Sequence, residues 1–400
     1  MEDEVPLDGC SRRLSFSFSL RCEIVLSMAA LNNPDFHELQ KRWVERAKTE
    51  VPETTLQQIR DLFLHSHEAV MIRALSRCKD SIDDTLECLT HLSERREDEI
   101  FQILFSEEDL ETAKRHLNFF KEASNGIISE ETRGFFTREL GIRKEREIVE
   151  FSKRYTTPRL FVLQLRDALN SYWNIFFKRE WTNNLLPELE EIVASLAETP
   201  IDILGFLEKQ TGKKIQKVSE IIVYVSHFVQ PHGLGFMEKG RYAVVVDKYS
   251  IKARGLKGVY HTIIHETLHP LMRNVFKDPR LRPLFERFKE NEELMRLYNE
   301  TIMGRYGWEG LIEENITAAF TRFLEVNLDI EEERNARQML YTGLQRALFD
   351  DLLRNYDVKT YRSIDDFLLE VLEKEDLIKA VLPREIQRRV FQWLSKQNTG

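Results

Sequence analysis

The run GVYHTIIHETLHPLM (residues 258–272) places two histidines four residues apart, with a glutamate directly after the first: His265, Glu266, Thr267, Leu268, His269. On a helix, residues four apart share one face and lie about 6 Å apart along the axis. Two imidazoles so placed can converge on one Zn²⁺ at Zn–N distances of about 2.0–2.1 Å. Glu266 then flanks the metal without having to ligate it, where a general base acting on a metal-activated water must stand. With ten histidines in 400 residues, chance produces such a pattern in only about 2–3% of chains of this composition. The motif therefore carries information.

The helix that must hold these residues is legible. Tyr260, Ile264, Leu268, Leu271 and Val275 fall at i, i+4, i+8, i+11 and i+15, an apolar stripe that predicts a buried amphipathic helix with the histidines on the adjacent stripe. His261 extends the histidine row by one turn. It lies eight residues from His269, about 12 Å along the axis, too far for one tetrahedral ion to take both along with His265. Support of a metal-ligating group, a substrate contact, ordinary packing and solvent exposure are the roles left to it. Pro270 removes the hydrogen bond to the carbonyl of Glu266 and predicts a kink or an end to the helix there.

Catalytic zinc sites typically have three protein ligands. No histidine follows His269 in the chain, so a carboxylate from a later helix is the common remaining solution. The segment WEGLIEENITAAFTRFLEVN offers Glu309, Glu313 and Glu314. A helical wheel leaves the choice open: the densest apolar arc runs through Trp308, Ile312, Ile316, Ala319 and Phe323, with Glu313 at its flank and Glu314 pointing away.

HETLH followed by a glutamate-bearing helix resembles the gluzincin metallopeptidases of the thermolysin type. The likeness covers these two helices only. It implies that Glu314 is the third ligand, because Ile316, Phe320, Phe323 and Leu324 follow it at the apolar positions of that type. The 45 residues from His269 to Glu314 exceed the thermolysin-type spacing and are closer to that of a bacterial HExxH domain family. Where that type carries an aspartate that orients a histidine, this chain has Ala318. The resemblance further implies a zinc-dependent peptidase acting on a peptide or protein, with Glu266 as general base. The strand Tyr242–Asp247 would precede the zinc helix as the edge strand that holds an extended peptide does. An oxyanion donor is also needed: Tyr341 is the expected one, among Tyr306, Arg322, His261 and His232.

Around these helices the chain predicts an α+β fold that is predominantly α-helical, with a small β-sheet preceding a zincin-like active-site helix. Residues 1–13 read as a flexible tail, 14–200 as a helical N-terminal domain and 201–400 as the zincin-like domain. LSFSFSL (14–20) alternates and predicts a strand. SEIIVYVSHF predicts a strand over 221–228, and YAVVVD one over 242–247. Between them QPHGLGFMEKG, with three glycines and a proline, reads as a loop. The segments FSFSLRCEIVLSMAALNNPDFHELQKRWVERA (16–47) and SYWNIFFKREWTNNLLPELEE (171–191) are similar to the sensor domain of some ArsR-type bacterial regulators. This supports a second reading, a metal- or ligand-binding sensor without turnover. A third is an interaction protein without metal.

Apolar residues make up 42% of the chain and charged residues 31%, with only 16 glycines and 11 prolines, which favours a helix-rich globular protein. No run of 18 uncharged apolar residues is present, so no membrane-spanning helix is expected. The net charge of -9 makes nucleic acid an unexpected partner. Four cysteines without a CxxC pair suit neither a disulfide scaffold nor a thiolate zinc knuckle. The acidic opening MEDEVPLDG is unlike a secretory signal, so a cytoplasmic location is expected.

Overall fold

The structure, a computed structural model, describes residues 14–32, 40–63, 68–105, 109–140, 142, 144–196, 203–214, 218, 220–229, 233–238, 241–301, 303 and 307–396. The expected tail and the expected boundary near residue 200 lie outside these residues. The fold is α+β and predominantly helical, with one four-stranded mixed sheet. No described helix is long and apolar enough to cross a membrane.

The sheet has the order β1-β2-β4-β3. Strand β1 (Leu14–Ser17) runs parallel to β2 (Ile221–Ser226), with Leu14 opposite Ile221. Strand β2 runs parallel to β4 (Arg241–Asp247), and β3 (Leu234–Glu238) lies antiparallel on the far side of β4. The sheet thus joins a strand from the beginning of the chain to three strands from beyond residue 220. Strands β2 and β4 are interior and covered on both faces, which is why IIVYVS and YAVVVD are nearly continuous apolar runs rather than alternating ones. Every residue of β2 is buried, as is every residue of β4 after Arg241.

Two expectations are corrected here. Part of the segment 230–240 is a strand, not a loop. Tyr242–Asp247 is an interior strand, and the edge beside it is β3. The glycines that suggested a turn serve instead to bring β3 close to its neighbours, as described below.

A buried charge cluster fixes the far end of β3. The Arg21 guanidinium, on the helix Leu20–Asn32, bonds Glu238 Oε1 at 2.6 Å, Asp80 Oδ1 at 3.0 Å and the carbonyls of Leu75 and Cys78 at 2.9 and 2.6 Å. The Tyr224 hydroxyl donates to Glu238 Oε2 at 2.6 Å, and burial together with that carboxylate raises the pKa of the phenol. With both charges paired and multiply bonded, the cluster is tolerable inside the protein and pins the edge strand to the first helix. Cys78, whose carbonyl takes part, forms a disulfide with Cys88, a pairing the spacing of the cysteines does not announce. The aromatic residues of the amino-terminal half pack as core: Trp43 lies against Phe176 and Phe228, and Trp181 against Phe18 and Phe177.

Two long helices complete the frame. The histidine helix, Lys257–Phe276, lies against β4 and against the glutamate helix, Gly307–Asn327. Residues 315–321 of the glutamate helix are all buried, so it has no solvent face along that stretch.

Candidate metal centre

The stripe that predicted the histidine helix is buried along its length: Tyr260, Ile264, Leu268, Leu271 and Val275 all belong to the core. The helix runs through Pro270 without ending there. The Glu266 carbonyl, deprived of its donor by that proline, accepts a hydrogen bond from the Tyr242 hydroxyl at 2.7 Å. Tyr242 stands on β4, so an interior strand repairs the helix. Removing that hydroxyl in Tyr242→Phe is expected to lower the unfolding free energy by about 1–2 kcal/mol, read as a lower denaturant midpoint at unchanged slope. An unchanged midpoint would mean that another donor serves this carbonyl.

The edge strand presses on the same turn of helix. Gly233 has φ +72°, open to glycine at little cost, and a Cβ there would overlap the Thr262 side chain. A Cβ on Gly235 would overlap the Tyr242 hydroxyl and reach to 3.0 Å from Glu266 Oε2. The absence of both side chains lets the Gly235 N–H donate to the Glu266 carboxylate.

His265, His269 and Glu314 come together. Their ligand atoms all lie within 4.8 Å of one another. His265 Nε2 is 3.2 Å from His269 Nε2 and 3.2 Å from Glu314 Oε1, and His269 Nε2 is 3.7 Å from Glu314 Oε2. Ligand atoms about 2.0–2.1 Å from a tetrahedral zinc are themselves about 3.3 Å apart. The three separations bracket that edge length, and the donor set of two imidazoles and a carboxylate is one that zinc takes. The residues therefore fit such an ion.

The neighbours of these groups orient them. His265 Nδ1 faces the Thr321 hydroxyl at 3.4 Å, and that hydroxyl donates to the Thr317 carbonyl at 2.8 Å, so its lone pair is directed at the ring. This leaves Nε2 of His265 as the metal-facing nitrogen. Thr321, not Ala318, is thus the residue of the glutamate helix that meets this ring nitrogen. Burial disfavours the charged form of His265, but Glu314 overrides it and raises the pKa. The Glu266 carboxyl is pushed up to about 7, chiefly by burial, with Glu314 adding to the shift and His265 and the Gly235 N–H opposing it.

His261 is not part of the trio. Its Nδ1 pairs with Glu325 Oε1 at 3.1 Å, and Glu325 Oε2 takes Arg322 at 2.7 Å. Burial lowers the pKa of His261 despite Glu325. Two of the expected oxyanion donors, Arg322 and His261, are thereby tied to one buried carboxylate. Tyr341 follows the helix Glu333–Met339, with its peptide N–H donating to Gln345 Oε1 at 2.8 Å. The next residue, Thr342, bonds Asn315 Oδ1 at 2.6 Å, which anchors this link to the residue after Glu314. Tyr306 and His232 lie outside the described residues. Glu309 stands 4.0 Å from Arg282, and Glu313 is not in the trio.

Sequence reasoning missed Thr321, Glu325, Gly235 and Tyr242. The first two could have been found by continuing the helical repeat of Glu314 through 318, 321 and 325. The others depend on strand packing that no local pattern encodes. No family model, curated protein or solved structure matches this chain.

Proposed function

We propose that the chain is a zinc-dependent peptidase of gluzincin type. The observation that supports this most directly is the convergence of His265, His269 and Glu314 at tetrahedral-edge distances, with Glu266 on the adjoining helical position. A zinc ion held by the three would polarise a scissile carbonyl and lower the pKa of a coordinated water to about 7.

The remaining work falls to the protein's own groups. Glu266 accepts the water proton on a carboxylate oxygen and returns it to the departing amine nitrogen. Its buried setting, which raises its proton affinity, suits that double role. The Gly235 N–H holds the carboxylate in place. Tyr341 is the proposed donor to the oxyanion. The outer edge of β3, alongside Glu266, is where an extended peptide would add as a further strand. The partner is accordingly a peptide or protein, not nucleic acid. A cytoplasmic location belongs to this reading; against it stands the Cys78–Cys88 disulfide, a kind of link that reducing compartments rarely keep.

The test is metal analysis joined to an assay. Purified protein is expected to carry stoichiometric zinc, and to hydrolyse a mixed-sequence quenched fluorescent peptide library. Chelation should abolish the hydrolysis and added zinc should restore it. Zinc without hydrolysis would favour the sensor reading, and protein that binds no zinc would end the proposal.

A further inference from the structure

The Cys78–Cys88 disulfide ties the turn after the helix Glu68–Leu75 to the helix Ile82–Ser93 and closes residues 78–88 into a ring. Cys78 is buried, whereas Cys88 is partly exposed. An outside thiol therefore meets Cys88 first. Cys22 is buried as well, and burial pushes its thiol up to about 12, so it is no competing nucleophile.

The ring carries the anchors of the first helix. Asp80 caps the helix Leu20–Asn32: its carboxylate accepts from the peptide N–H groups of Leu20 and Arg21 at 3.2 and 3.1 Å and from the Ser19 hydroxyl at 3.0 Å. The same carboxylate takes the Arg21 guanidinium at 3.0 Å, and the Cys78 carbonyl takes it at 2.6 Å. On its other side the guanidinium donates to Glu238 Oε1 at 2.6 Å. Glu238 ends β3, and Gly235 on the same strand donates to the Glu266 carboxylate. Ring, Arg21, β3 and Glu266 thus form one unbroken line of contacts. A disulfide has two discrete covalent states, which is what turns such a line from a scaffold into a switch.

We propose that Cys78–Cys88 is a thiol-exchange site: a small dithiol opens it in the folded protein, and the opening loosens β3 through Arg21 and Glu238. A thiolate of the dithiol attacks the Cys88 sulfur, the bond between the two cysteines breaks, and the Cys78 thiolate leaves and takes up a proton. The second thiol of the reagent then displaces Cys88, which is protonated in turn. The protein disulfide is reduced to two thiols, and the dithiol departs as its own cyclic disulfide. With the ring open, the segment that bears the Cys78 carbonyl and Asp80 regains chain freedom. Arg21 then loses fixed acceptors on the side away from Glu238. Strand β3 feels this because it is an edge strand, paired only with β4 among the described strands. The inference stands on the disulfide and the charge cluster and does not require the peptidase reading.

The experiment follows hydrogen exchange of the full-length protein in dithiothreitol and in oxidised glutathione. Peptide mapping of acid-quenched samples should find the pair open in the first buffer and closed again in the second. Losing one charge-assisted hydrogen bond corresponds to a roughly tenfold change in a local opening equilibrium. Amides of residues 234–238 should therefore exchange about tenfold faster in the reduced protein, while those of β2 and of the histidine helix keep their oxidised rates. Cys88→Ala should show the fast β3 rates in both buffers; if that variant does not fold, the wild-type comparison decides alone. A disulfide that dithiothreitol leaves intact in the folded protein would overturn the proposal. So would an open pair with β3 unchanged, and so would faster exchange in every segment, which would make the disulfide a staple of the whole fold.

Discussion

Glu266→Gln is expected to lower kcat by about 10²–10⁴-fold while zinc remains bound in full. The substitution keeps the shape of the side chain and takes away its ability to accept a proton. It also leaves the ligand set of His265, His269 and Glu314 untouched. The fold should tolerate it, because burial raises the pKa of the carboxyl and so opposes its charge, and an amide carries none. The Gly235 N–H can still donate to the amide oxygen. The measurement pairs metal content with single-turnover hydrolysis of the mixed peptide library. Unchanged turnover would remove Glu266 from the role of base. Loss of zinc would instead make Glu266 a ligand and dissolve the assignment of the trio.

Parts of this site could be read from the sequence because they depend on one helix alone. The spacing of His265 and His269 is a local property, and the stripe from Tyr260 to Val275 states which way the helix faces. Glu314 is different. Its wheel position argued for solvent, and the argument failed because it assumed a helix with a wet side. Residues 315–321 are all buried, so the turns that follow Glu314 have no wet side, and Glu314 itself finds its partners in the two histidines. The segment 230–240 was misjudged for a related reason. Glycine marks either a turn or a close approach. Gly233 and Gly235 mark the approach of β3 to Thr262 and Glu266, which depends on a helix that begins some twenty residues later. Pro270 carried a correct local expectation, the loss of a hydrogen bond, and the carbonyl it leaves without a helical donor is taken up by Tyr242 from another element. The pairing of β1 with β2 joins residues about two hundred positions apart, and alternation in LSFSFSL shows a strand without naming its neighbour.

Glu314→Ala is expected to weaken zinc binding by at least about a hundredfold, beyond the 10–100-fold loss that follows removal of an outer-shell partner. The reason is geometric. Both imidazoles come from one helix and approach the ion from one side, and Glu314 is the group the neighbouring helix brings to within 3.2 Å of His265 Nε2. Without it the ion keeps two protein donors and loses the charge that offsets its own. The loss can be read without any assay of turnover. At a free zinc concentration one hundred times the wild-type Kd, binding stabilises the folded protein by about 2.7 kcal/mol. A hundredfold weaker site gains only about 0.4 kcal/mol under the same conditions. A zinc-dependent rise in melting temperature should therefore be clear in wild type and nearly absent in the variant, with Glu313→Ala behaving as wild type. The reverse result, in which Glu313→Ala loses the zinc response and Glu314→Ala keeps it, would transfer the ligand role to the residue that flanks the apolar arc. It would then require the glutamate helix to turn by about 100° from the orientation that now sets Thr321 against His265 and Glu325 against His261.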